Sequence, residues 1–209
     1  GTATGTTHDD IALVRLEANG SLDPGFGSGG VVKTDVGSGT HDSAADVALQ
    51  PDAKIVVGGT SATSFVLLRY TSGGSLDASF GSGGVVTRSV GTVGDSLGAV
   101  MVDIDGNVIA VGTADDGGIM GRRGAVLRHL ADGTPDPTFG AGGLLSPDGW
   151  AGLIFRDAVE LPSHEIAIAG YSEINPDLIL VSVLHQGVPN HAYALDGVAR
   201  FDLGAAEYA

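Results

Sequence analysis

Ile11-Ala-Leu-Val-Arg-Leu16, followed by Gly20-Ser-Leu-Asp-Pro-Gly-Phe-Gly-Ser-Gly-Gly-Val-Val32, decides the fold, because it returns. Its second copy reads Phe65-Val-Leu-Leu-Arg-Tyr70, then Gly74-Ser-Leu-Asp-Ala-Ser-Phe-Gly-Ser-Gly-Gly-Val-Val86. A third reads Ala125-Val-Leu-Arg-His-Leu130, then Gly133-Thr-Pro-Asp-Pro-Thr-Phe-Gly-Ala-Gly-Gly-Leu-Leu145. A worn fourth runs from Leu178-Ile-Leu-Val-Ser-Val-Leu184 to Asn190-His-Ala-Tyr-Ala-Leu-Asp-Gly197. The anchors Phe26, Phe80, Phe139 and Tyr193 are 54, 59 and 54 residues apart. Self-similarity at such a period marks a repeat architecture.

A second signature recurs between the anchors. Asp46-Val-Ala-Leu-Gln-Pro-Asp-Ala-Lys-Ile-Val-Val-Gly-Gly59 is answered by Ala99-Val-Met-Val-Asp-Ile-Asp-Gly-Asn-Val-Ile-Ala-Val-Gly112. Ala158-Val-Glu-Leu-Pro-Ser-His-Glu-Ile-Ala-Ile-Ala-Gly170 is the third version. Each is two apolar, β-branched runs joined by a short turn-forming step such as Pro51-Asp52 or Asp105-Gly106, which predicts a hairpin. One unit then reads as four strands, placed in the first full unit near Val31–Val36, Asp46–Gln50, Lys54–Gly58 and Phe65–Tyr70. Four short antiparallel strands per unit, set side by side, predict an all-β, β-propeller-type array of about three complete blades with partial terminal units. The boundaries fall near 1–29 (partial), 30–83, 84–142, 143–197 and 198–209 (a degenerate cap). A parallel β-helix is the structural alternative, disfavoured because its coils are shorter and lack internal hairpins.

The wording L-x-R-L…G-x-L-D-x-x-F-G-x-G-G, with the A-x-Q-P-D-x-K-I-x-x-x-G element at Ala48–Gly59, resembles the bacterial delta-60 repeat family. The resemblance covers residues 11–184. It implies propeller-like arrays in large, mostly secreted or surface-associated bacterial proteins, and it implies an architecture with no agreed activity.

Composition agrees with many turns and short strands. The 209 residues hold 35 Gly and 8 Pro, and these residues cost ~1 and ~3 kcal/mol in a helix interior. Ten Lys and Arg against 25 Asp and Glu leave a net charge of −15, so nucleic acid and anionic membrane are poor partners. No apolar run approaches the ~20 residues of a membrane-spanning helix. Without cysteine there is no disulfide, cysteine-ligated metal or thiol nucleophile. The acidic, lysine-poor surface suits an extracellular or cell-surface protein. An opening without Met suggests a processed or excised chain.

In three copies an Arg precedes an Asp by eight residues: Arg15/Asp23, Arg69/Asp77 and Arg128/Asp136. The fourth copy changes both, to Ser182 and Asn190. Joint loss is what a paired interaction predicts, since removing one partner strands a charge. Each Arg is therefore expected to bond its Asp and clamp the crossover loop between blades. Phe26, Phe80 and Phe139 are expected to fill the gaps between blades, and the following Gly-Gly to turn the chain into the next blade's innermost strand.

Repetition disarms the tempting motifs. Gly25-Phe-Gly-Ser-Gly-Gly30 satisfies G-x-G-x-x-G, but a Val-Val strand follows where a dinucleotide site needs a helix. Gly94-Asp-Ser-Leu-Gly98 fits the nucleophile elbow, which requires a strand-to-helix turn; Asp95-Ser96 occupies the repeat position of Asp42-Ser43. Asp103, Asp105 and Asn107 open like a calcium loop whose downstream Glu is missing, and Asp115-Asp116 adds a weaker candidate. Calcium is thus the one cofactor entertained, and the expectation is none. The six histidines lack metal-ligand spacing and are expected in loops or on the surface. Trp150, in an irregular insert at 146–152, marks either a contact surface or a half-buried core position.

An open arc of three blades leaves sheet edges unpaired. Three closures are expected: a longer propeller, two or more copies, or a small four-blade ring. The Ala-rich end, Gly204-Ala-Ala-Glu-Tyr-Ala209, fits a capping unit. The functional expectation is a non-enzymatic, secreted or surface scaffold that meets another protein, or itself, through edge strands. The alternative is a calcium-assisted hydrolase or lyase at a central channel.

Overall fold

The computed structural model describes residues 1–4, 8–37, 39–118, 121–175, 177–194 and 196–202; the Ala-rich end lies outside them. Four antiparallel sheets follow one another along the chain. The first holds β1 (Thr2–Thr4), β2 (Asp9–Val14) and β3 (Val31–Thr34). The second holds β4 (Asp42–Leu49), β5 (Ile55–Ser61), β6 (Ser64–Tyr70) and β7 (Val85–Arg88). The third holds β8 (Gly94–Val102), β9 (Val108–Asp115), β10 (Arg122–His129) and β11 (Leu144–Leu145). The fourth holds β12 (Leu153–Glu160), β13 (Ile166–Ser172), β14 (Leu178–Val183) and β15 (Val198–Phe201). The described residues hold a 3₁₀ turn at Asp148–Trp150 and no α-helix. This is the expected all-β array of four-stranded blades.

The sheets are phased one strand away from the sequence reading. Sequence alone gives the strand after each Gly-Gly to the next blade, with unit boundaries near 30, 84 and 143. Instead β3 pairs with β2, with Leu13 opposite Val32, and β7 pairs with β6, with Leu67 opposite Val86. The cause is in the loop. Arg69 N donates to Gly84 O at 2.9 Å, while Asp77 N donates to Arg69 O at 2.8 Å. The loop therefore folds back on the end of β6 and returns the chain beside it. The same pair of bonds brackets Arg15, Arg128 and Ser182. The true sheet-to-sheet passages are 35–41, 89–93 and 146–152.

Apolar alternation along the strands is spent on the joints between sheets. Ile11 and Phe26 of the first repeat meet Ile55, Val57, Val66, Leu68 and Tyr70. Phe65, Leu67 and Phe80 meet Leu97, Val100, Ala110 and Leu127. Ile109, Val126 and Phe139 meet Leu153, Phe155, Ile168 and Val181. The β5 and β9 strands are buried on both faces, which explains their unbroken apolar runs. Trp150 belongs to the third joint: it is 1% exposed and meets Phe155 edge-on at 5.2 Å between ring centroids. The half-buried and contact-surface readings of Trp150 both yield to full burial.

β4, β8 and β12 stand beside one another across the sheet boundaries. Each carries a bulge at the same repeat position, where the register shifts between Ala44 and Asp46, Leu97 and Ala99, and Phe155 and Asp157. After the first bulge, Asp46 Oδ2 accepts from Val100 N at 2.9 Å, tying β4 to β8.

Candidate functional site

The repeated Arg, Asp and Phe come together in every complete copy. Arg Nε donates to Asp Oδ2 at 2.7 Å for Arg15–Asp23, 2.9 Å for Arg69–Asp77 and 2.7 Å for Arg128–Asp136. Each guanidinium also lies over its Phe ring, 4.5 Å from Phe26, 4.7 Å from Phe80 and 4.7 Å from Phe139. Both contacts lie within one sheet. The reach to the neighbour is made by Nη1, which donates to Ser72 O from Arg15, to Ala131 O from Arg69 and, at 2.7 Å, to His185 O from Arg128. Beside it, Gly27, Gly81 and Gly140 N–H groups donate to Gly73, Asp132 and Gln186 carbonyls in the next repeat at 2.9, 2.7 and 3.1 Å. Each latch is thus an Arg held by its own Asp and bonded to backbone one repeat later. Sequence reasoning missed this half, because a carbonyl acceptor leaves no residue identity.

The carboxylates are tuned to stay charged. Asp77 is held well below its ordinary range, first by the Ser79 hydroxyl at 2.7 Å and then by the Ser79 N–H, Lys54 and Arg69, against the opposing effect of burial. Burial pushes Asp136 up, but the Thr138 hydroxyl and N–H together with Arg128 outweigh it and leave a net lowering. In the fourth copy Asn190 Nδ2 donates to Ser182 Oγ at 3.2 Å, and Tyr193 is 42% exposed.

The motif candidates resolve into turns. Asp95 accepts from Val90 N and Gly91 N, each at 2.8 Å, and its repeat counterpart Asp42 accepts from Val36 N at 2.8 Å and Thr40 Oγ1 at 2.9 Å. Asp103 Oδ1 accepts from Asp105 N at 3.0 Å and Asn107 N at 2.8 Å, while Oδ2 accepts from Asn107 Nδ2 at 3.0 Å. The three calcium candidates are therefore one hairpin turn held by Asp103. Among the described residues no group of three or more His, Cys, Asp or Glu is arranged to hold a metal. Asp115 and Asp116 pair with Arg122 and Arg123.

Histidine departs from expectation at one position. His129 closes β10, is 1% exposed, and neither ring nitrogen has a partner. Burial, helped by the charge of Arg88, pushes its pKa down to about 4. Tyr70, its repeat counterpart, meets Thr34 Oγ1 at 2.7 Å. The position is a core socket at the end of the Arg strand in the second and third repeats, whereas Leu16 in the first is 57% exposed.

A cavity of about 310 Å³ opens between the third and fourth sheets, lined by Ser96, Thr113, Arg122, Arg156, Tyr171 and Glu173 among others. Arg122 bridges its two sides, from Asp115 Oδ2 at 3.0 Å to Glu173 Oε1 at 2.9 Å. Arg156 is the bulge residue of β12; it lies 5.4 Å from the Tyr171 ring centroid and donates from Nη2 to Tyr171 Oη at 3.1 Å. Of the cavity lining, the sequence reading singles out Asp95 and Ser96 for their motif and Asp115 as a weak calcium candidate; it misses Arg156, Tyr171 and Glu173.

Sheet architecture and latch together define a β-propeller-type repeat protein. Residues 2–26, 50–80 and 105–139 match a family model described as a β-propeller domain of unknown function, DUF5122. Each matched segment ends on a latch phenylalanine, Phe26, Phe80 or Phe139. No curated protein matches the chain.

Proposed function

We propose that this chain is a non-catalytic interaction scaffold of the delta-60 repeat type, working outside the cell or at its surface, whose fourth sheet receives another sheet of the same kind from a second copy. One observation carries the reading. Leu178 occupies the repeat position of Phe65, and Ala167 and Ala169 those of Val56 and Gly58. Phe65 and Val56 are buried at 1% and 0% under the next sheet, whereas Leu178 is 47% exposed and Val159 nearby 56%. Among the described residues Asp157, the counterpart of Asp46, accepts only from the adjacent Ala158 N at 2.9 Å. The fourth sheet thus offers the same apolar face and the same carboxylate that hold the internal joints, with no sheet upon them among the described residues. An exposed apolar face of this kind is a mark of association, and a face complementary to a different surface joins copies head to tail.

Light scattering of the purified chain tests this. The expected result is a mass above the 20.8 kDa of one chain, rising with concentration and returned to one chain by Leu178→Lys. A monomer at every concentration overturns the reading.

A further inference from the structure

The cavity between the third and fourth sheets departs from the repeat, and it departs in charge. At the bulge position the second and third sheets carry Ala45 and Gly98; the fourth carries Arg156. Where the second and third sheets place Thr60 and Thr113, the fourth places Tyr171, and opposite Ala62 and Asp115 stands Glu173. A Cβ on Gly98 would meet Phe155 O at 2.4 Å, so the third sheet's bulge serves close packing, whereas Arg156 projects an exposed guanidinium. The guanidinium gained at the bulge is not what the joint itself requires, and it stands beside Tyr171 and Glu173, which keep the hydroxyl of Thr113 and the carboxylate of Asp115 in longer side chains.

Two polar groups there are left with capacity. The guanidinium of Arg156 is braced by the Tyr171 ring and hydroxyl, yet no carboxylate pairs with it among the described residues, in a chain of net charge −15. Glu173 uses Oε1 for Arg122, while its Oε2 is shielded from solvent and has no hydrogen-bond partner. A planar, pre-braced guanidinium matches a carboxylate through two parallel bonds. A shielded carboxylate oxygen without a donor is costly until a donor arrives. The hydroxyls of Ser96 and Thr113 complete a polar wall, and the volume falls at the lower end of small-molecule sites, ~300–1,000 Å³.

We propose that this cavity binds a small zwitterion, an α-amino acid, with its carboxylate on Arg156 and its ammonium group on Glu173 Oε2. The strongly acidic chain favours a ligand of zero net charge over a simple anion.

The test is titration of the intact chain with each of the twenty free L-amino acids, up to ~10 mM, a concentration that detects dissociation constants of roughly 1 mM or tighter. Amide NMR shifts localise the binding. The expected result is saturable binding of at least one amino acid, with shifts centred on Ser96 and Tyr171. Arg156→Gln and Glu173→Gln are each expected to weaken it tenfold or more at an unchanged melting temperature. L-Lactate, which keeps the carboxylate and replaces the ammonium group with a hydroxyl, is expected to bind tenfold more weakly than alanine. No saturable binding by any of the twenty, binding that survives Arg156→Gln, or lactate equal to alanine each overturns the proposal.

Discussion

Asn190 donates from Nδ2 to Ser182 Oγ at 3.2 Å, at the two positions that in the preceding repeats hold an Asp and an Arg. The fourth repeat has kept the bond and discarded both charges together. Among the described residues the charged version stands where Nη1 of the Arg reaches a carbonyl one repeat later.

This relationship predicts strong coupling between Arg69 and Asp77. Asp77→Ala strands a guanidinium that is 4% exposed, with an expected loss of ~3–5 kcal/mol. Arg69→Ser alone also loses the bond to Ala131 O. The double change Arg69→Ser with Asp77→Asn, which copies the fourth repeat, is expected to cost less than the sum of the single changes by at least ~1 kcal/mol. Urea denaturation of the four species gives the coupling energy; additive losses refute the pairing.

Gly133 and Gly20 hold equivalent turns at φ +85° and +85°, but only one sits against a neighbour. A Cβ on Gly133 would stand 2.7 Å from Gly81 N and 3.0 Å from Phe80 Cδ2, while one on Gly20 meets nothing within 4 Å. Gly20→Ala is therefore expected to cost only the backbone conformation, ~1 kcal/mol. Gly133→Ala adds a steric clash inside the latch and is expected to cost clearly more, of order 1–3 kcal/mol beyond it. Thermal melts of the two variants decide; equal losses would show that the latch turn has room to give.

Much of this was legible because repetition supplies its own controls. Phe26, Phe80 and Phe139 were recognisable as core, and the Arg–Asp pairing was legible from its joint loss at Ser182 and Asn190. Sheet membership was not. Val31 and Val85 follow a Gly-Gly that reads equally well as an exit or as a return, and the bonds of Arg15 and Arg69 to Gly30 and Gly84 that decide it are backbone to backbone. The burial of Trp150 and His129 followed from tertiary packing that no local pattern records. Arg156, Tyr171 and Glu173 sit 15 and two residues apart, with the strand register alone bringing them together.

Asp46 and Asp157 offer a test of the joint between first strands. Asp46 Oδ2 accepts from Val100 N across the boundary at 2.9 Å. Asp46→Ala leaves that N–H, on a residue 5% exposed, without its acceptor, and is expected to destabilise the fold by ~1–3 kcal/mol. Asp157→Ala is expected to leave chain stability within about 0.5 kcal/mol and instead to weaken the association seen by light scattering. The opposite pattern would show that the fourth sheet's carboxylate has no part in receiving a neighbour.

His129 predicts a loss of stability on the mildly acidic side that the carboxylates do not produce. Its ring is buried and neutral in the folded chain, with a pKa pushed down to about 4, whereas an unfolded histidine titrates near ~6.5. Between those values the unfolded chain takes up a proton that the folded chain refuses, so stability falls as pH drops from ~6.5 to ~4 and this contribution levels off below. The size is on the order of 3 kcal/mol across the window, at about 1.4 kcal/mol per pH unit. Asp77 and Asp136 have lowered folded pKa values, so their stabilisation is present above ~3.8 and lost only as pH falls further. The two windows are therefore separable. His129→Leu is expected to flatten the urea-midpoint profile between pH 6.5 and 4 while leaving the steeper decline below pH 4 in place, the pH limits being approximately those of the two titrations. A profile unchanged by His129→Leu would mean that the histidine gains a proton, and a partner for it, without leaving the core.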